Sequence, residues 1–71
     1  MLVTDRAVVE WMQQLRAEYL EMPGLALTRA QMRRIWPIDA PLCDAVVNAL
    51  LASGFLECRQ GYTYARRSSR P

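Results

Sequence analysis

Between Leu25 and Arg66 the local signals of this chain fall in an order that few small folds can accommodate. A short apolar run at residues 25–27 comes first. Thr28 then heads a capped helix, and Pro37 and Pro41 punctuate a break over residues 36–41. A second, more apolar helix ends at Gly54, and two strand-like runs follow, joined by Gln60-Gly61. Proline lacks an amide proton and pushes the preceding residue out of helical geometry. Pro37 therefore closes the helix before it and prevents one long helix from running through to Gly54. The predicted order is strand, helix, turn, helix, hairpin, behind a leading helix.

That leading helix is predicted over residues 5–21, with Thr4 as N-cap and Asp5 at the positive end of the helix dipole. Val8, Met12, Leu15 and Tyr19 recur at helical spacing as its core stripe, with Trp11 at the margin. Val9 and Leu20 lie on the shoulder of that stripe, as ordinary edge residues or as the start of a dimer patch. Pro23-Gly24 ends the helix. Thr28-Arg29-Ala30-Gln31 fits a capping box, and Leu27 and Met32 stand at the positions of a hydrophobic staple. Met32, Ile35 and Trp36 are the expected buried stripe of helix two, with Arg29, Arg33 and Arg34 pointing elsewhere. In helix three, capped by Asp39, the apolar face is Leu42, Cys43, Val46, Val47 and Leu50, with Leu51 at its edge.

Residues 25–27 are too few for a free-standing strand and are expected to pair with a later one. The closing strands are predicted at residues 55–59 and 62–66. A two-residue turn at Gln60-Gly61 sets Arg59 opposite Tyr62, Glu57 opposite Tyr64 and Leu56 opposite Ala65. Leu56, Cys58, Thr63 and Ala65 then form the face expected to cover the helices. Arg67-Ser68-Ser69-Arg70-Pro71 reads as a disordered basic tail after a single domain of residues 1–66, and Arg66-Arg67-Ser68-Ser69 has the form of a basophilic kinase site.

Seventy-one residues support one domain, and 52% hydrophobic composition is enough to give it a core. There is no histidine and no Cys-x-x-Cys, which argues against a zinc site; Cys43 and Cys58 read as buried free thiols in a reducing cytoplasm. No catalytic constellation, glycine-rich phosphate loop or cofactor signature is present, and a chain this small has little room for an ordinary ligand pocket. Neither an enzyme nor a small-molecule substrate is expected. No membrane-length run or secretion signal is seen. All nine basic residues are arginine, and Arg66, Arg67 and Arg70 make the carboxyl end basic without a neighbouring acid.

Taken together, LTRAQMRRIW and DAPLCDAVVNALLASGFLECRQGYTYAR resemble the winged helix-turn-helix superfamily, including small stand-alone bacterial members without assigned function. The resemblance implies an α+β, mainly α winged helix: three helices with a small antiparallel sheet, ordered helix, strand, helix, helix, strand, strand. It also implies that helix three enters the major groove of double-stranded DNA, with Pro41, Asp44, Ala45, Asn48 and Ala52 facing out. Asn48 would then bind adenine through both ends of its amide, and Asp44 would accept from cytosine N4. Thr28 and Arg29 at the start of helix two, with Arg33, Arg59, Arg66, Arg67 and Arg70, would meet phosphates. About five such contacts give a log–log salt slope near −4 to −5.

The same residues admit plainer readings. Exposed arginines beside a core stripe are often only a solvated surface. Tyr62 and Tyr64 stack on bases or simply pack across the strands. The outward set of helix three contains no arginine, lysine, glutamine or serine, and Ala45, Ala52 and Pro41 suit close protein contact. A homodimer or a protein partner is therefore the alternative to DNA.

Overall fold

The computed structural model describes residues 4–67. Helix α1 spans Asp5–Glu21, β1 Ala26–Leu27, α2 Arg29–Ile35, α3 Ala40–Ala52, β2 Leu56–Arg59 and β3 Thr63–Arg66. The strands form one antiparallel sheet in the order β1-β3-β2. This is the α+β, mainly α arrangement expected from the order of sequence signals.

Side-chain caps fix where each helix begins. Thr4 Oγ1 accepts from the Ala7 amide at 3.1 Å. Thr28 and Gln31 close the capping box in both directions, with N–H donors 3.1 and 2.8 Å from their acceptors. Asp39 Oδ1 accepts from the Leu42 amide at 3.2 Å, and Pro41 sits in the first turn of α3, where its missing N–H has no helical partner to lose. At the other end of α3, Gly54 takes a φ of 81°. Its amide bonds the Leu51 carbonyl and the Phe55 amide bonds the Leu50 carbonyl, each at 3.1 Å, a Schellman closure that turns the chain into β2. An L-residue in this left-handed well is strained by roughly 1–2 kcal/mol. Gly54→Ala is expected to lower the denaturant midpoint correspondingly, with Gly24→Ala as a control in open space.

The core is shared by Leu15 and Tyr19 of α1, Leu27 of β1, Met32 and Trp36, Ile38, the five α3 residues read from the sequence, and Leu56 and Tyr64 of the sheet. Val8, Trp11 and Met12 pack against its margin, whereas Val9 and Leu20 are exposed. Ile35 departs from expectation, being 56% exposed. Helix α2 has only seven residues and offers the core a single position, Met32. Trp36 then leaves the helix in extended geometry, and the Ile38 amide turns back to the Trp36 carbonyl at 2.8 Å. The turn therefore sends Trp36 and Ile38 inward, filling the space that helical periodicity assigned to Ile35.

The hairpin also differs, by one residue. Gln60 and Gly61 adopt the left-handed conformations of a tight turn, with φ of 58° and 84°, and the Tyr62 amide returns to the Arg59 carbonyl at 3.3 Å. Ladder pairing, however, resumes only at Thr63: Arg59 faces Thr63, Cys58 faces Tyr64, Glu57 faces Ala65 and Leu56 faces Arg66. Tyr62 is left as an extra residue, 60% exposed. A shift of one reverses the faces of a strand. Tyr64 accordingly joins Leu56 and Cys58 on the face toward the helices, where its ring buries more apolar area than Thr63 would. Ala65 is nonetheless buried, at 3% exposed. Cys58, expected buried, is exposed, while Cys43 is buried as expected; both are free thiols.

The two strands begin one residue later than expected, at Leu56 and Thr63. Phe55 instead packs its ring edge-on against Tyr19, with ring centres 6.3 Å apart. The Arg67 amide donates to the Phe55 carbonyl at 2.8 Å, carrying the ladder one residue into the segment read as tail. The remainder of that tail, Ser68 to Pro71, with Arg70 and the serines of the kinase-like string, lies outside the described residues.

Candidate nucleic-acid interface

Between α2 and α3 the chain bends by 116° over the short connection after Ile35, within the range of helix-turn-helix units. The bend puts the amino end of α2 beside the middle of α3, while the hairpin closes the other flank. On the outward face of α3, Pro41, Asp44, Asn48 and Ala52 are exposed and Ala45 is half-buried.

Arg29, the first residue of α2, reaches across this face and holds three partners. Its Nη1 donates to Asp44 Oδ1 at 2.8 Å, its Nη2 to Asn48 Oδ1 at 3.2 Å, and its Nε to the Tyr64 hydroxyl at 3.1 Å. The guanidinium carbon lies 5.0 Å from the centre of the Tyr64 ring. Side chains from α2, α3 and β3 thus meet at one cation. Partial burial works against that charge, but the hydrogen bonds to Tyr64 and Asp44 outweigh it and hold the Arg29 pKa above its ordinary value. The Cys43 thiol beneath is pushed up, chiefly by burial and then by Asp44, against the opposing pull of Arg29 and Arg33.

This geometry brings together three of the predicted site residues, Arg29, Asp44 and Asn48, in roles other than those expected. Arg29 does not stand free for a phosphate, and the Asn48 amide has its oxygen turned toward Arg29. The Thr28 hydroxyl is occupied as the α2 cap. Arg59, beside the turn, donates to Glu57 at 2.7 Å. Arg66 lies at the opposite end of β3, roughly 10 Å away along the strand, and Arg67 follows it. Arg33, Arg34, Arg66 and Arg67 are exposed and make no salt bridge among the described residues. Tyr64 is the member the sequence reading missed. A hairpin loop of three residues containing glycine was the available signal, since that register alone turns Tyr64 inward toward Arg29.

Away from this face, Glu10, Trp11, Gln14, Trp36 and Pro37 line an open groove of about 440 Å³ between α1 and the turn after α2. Its polar groups are engaged along α1, Glu10 with Arg6 and Gln14 with Glu18, each at 3.3 Å. Among the described residues no cluster of three metal-binding side chains occurs. No single helix among them is long and apolar enough to cross a membrane. No family model, curated protein or solved structure matches this chain.

Proposed function

We propose that this chain is a small DNA-binding protein of winged-helix build, suited to transcriptional regulation in the cytoplasm, with α3 toward the major groove and exposed arginines on phosphates. The observation that carries the reading is the Arg29–Asp44 pair. An acid on a groove-facing helix repels phosphates, and here a guanidinium 2.8 Å away offsets its charge within the protein. The face of α3 is thereby made close to neutral, while Arg33 on one flank and Arg66 and Arg67 beyond the other stay free to meet the backbone.

Among the described residues three of the proposed phosphate contacts, Arg33, Arg66 and Arg67, are free, in place of about five, and this changes the expected salt response. Binding to random duplex DNA should fall with a log–log slope of about −3. Arg33→Ala is expected to reduce that slope in magnitude by about 1. The check is a salt titration followed by fluorescence anisotropy, and a folded protein that binds no duplex at low salt would refute the reading.

A second reading, a protein-interaction or homodimerisation module, is favoured by a different observation. Arg29 and Arg59 both direct their charge to acids on the protein's own surface, and the remainder of the α3 face is small: Pro41, Ala45 and Ala52. Sedimentation of the free protein across concentration distinguishes a homodimer from a monomer that needs DNA or another protein.

A further inference from the structure

Arginine donates hydrogen bonds and accepts none, so the end of an asparagine amide that faces it must be the oxygen. The bond from Arg29 Nη2 to Asn48 Oδ1 therefore fixes the polarity of the Asn48 side chain and turns its NH₂ away. That NH₂ has no hydrogen-bond partner among the described residues. Asp44, one helical turn earlier, meets the same guanidinium through Oδ1, which leaves Oδ2 an acceptor without a partner among the described residues. The face of α3 thus shows two amide hydrogens beside one carboxylate oxygen, and Arg29 sets which is which.

In the major groove, guanine presents two adjacent acceptors, N7 and O6, and its partner cytosine presents the N4 donor beside them. Two hydrogens followed by an acceptor complement that edge. On an A·T pair the N6 donor lies between the acceptors N7 and O4. An NH₂ that reaches either acceptor there sets its second hydrogen beside the N6 amine. The bidentate grip on adenine needs the amide oxygen directed at the base, and the bond from Arg29 directs it at the guanidinium instead. Resting on the DNA reading above, we infer that Asp44 and Asn48 select a G·C base pair, with Asn48 donating to guanine, Asp44 accepting from cytosine N4, and Arg29 acting as the positioning residue that excludes adenine.

The test is selection by the full chain, at low salt, from a pool of duplexes randomised at their centre, followed by sequencing of the bound fraction. The wild type should enrich a G·C pair at one position by about fivefold or more over A·T. Asn48→Ala should bind the pool without that enrichment. Arg29→Met releases the amide to rotate and should admit adenine at the same position, whereas Arg29→Lys, also a pure donor, should keep guanine. Thermal melts confirm that each variant is folded, and Asn48 is exposed enough that its truncation leaves the core untouched. A bound pool of uniform composition, or an Arg29→Met protein that still selects guanine, overturns the inference and leaves DNA binding standing. A pool that is not bound at all overturns both.

Discussion

Leu50→Ala should lower the unfolding free energy by about 3–4 kcal/mol, the cost of the lost apolar contacts and of the cavity left behind. The residue is 0% exposed, on the face of α3 turned away from the proposed DNA surface. Its backbone also holds the helix end in place, because the Leu50 carbonyl accepts from the Phe55 amide and from Ser53 Oγ. A chain of 71 residues has a total stability of roughly 4–10 kcal/mol. The substitution therefore removes about a third or more of it and should lower the midpoint of urea denaturation in proportion. Ile35→Ala is the matched control. Periodicity assigned Ile35 to the core, yet the side chain projects from the short α2, and its truncation should cost under about 0.5 kcal/mol. Equal losses at Leu50 and Ile35, read as shifts in urea midpoint, would mean that the interior is not built as described.

That contrast shows what local pattern could and could not convey. The caps at Thr4, Thr28 and Asp39 and the glycine stop at Gly54 are short-range devices, each complete within a few residues, and each is legible as a string of letters. The five-residue apolar face of α3 is equally legible because thirteen residues give the helical period room to repeat. Ile35 was misassigned because seven residues do not, and because the extended geometry at Trp36 breaks the period just where it would decide. The hairpin failed for a different reason. Gln60 and Gly61 do form the tight turn, but whether pairing resumes at Tyr62 or Thr63 depends on which ring the helices can cover, and that is a tertiary question. The candidate site inherits this limit. Arg29, Asp44 and Asn48 were identifiable singly from exposure and chemistry. Their mutual grip was not, since it joins residues 15 and 19 positions apart and adds Tyr64 only in the shifted register.

Tyr19 carries the other large expected effect, visible as a change of stability with pH. Its hydroxyl donates to the Tyr64 carbonyl at 2.7 Å inside the core and ties α1 to the central strand. Burial, aided by the nearby Cys43, raises the phenol pKa from 10.0 to about 12. A group whose pKa is higher in the folded than in the unfolded chain takes up protons more readily when folded, so its stabilising contribution is complete below the unfolded value. The contribution of Tyr19 should therefore hold up to about pH 10 and fall as the pH climbs through 12. Cys43, raised from 9.0, acts in the same direction from a lower starting point, so the comparison belongs in a Cys43→Ala background. There, Tyr19→Phe should cost roughly 1–2 kcal/mol at neutral pH through the lost hydrogen bond. It should also flatten the alkaline decline, since no proton remains to be released at that site. Urea unfolding at intervals from pH 7 to about 12 gives both quantities from one series. If the decline is equally steep with and without the hydroxyl, alkaline unfolding is set elsewhere and Tyr19 is only a packed ring. If the variant loses stability at neutral pH and gains relative to its parent above pH 10, the bond between α1 and β3 is what fastens the leading helix beneath the sheet.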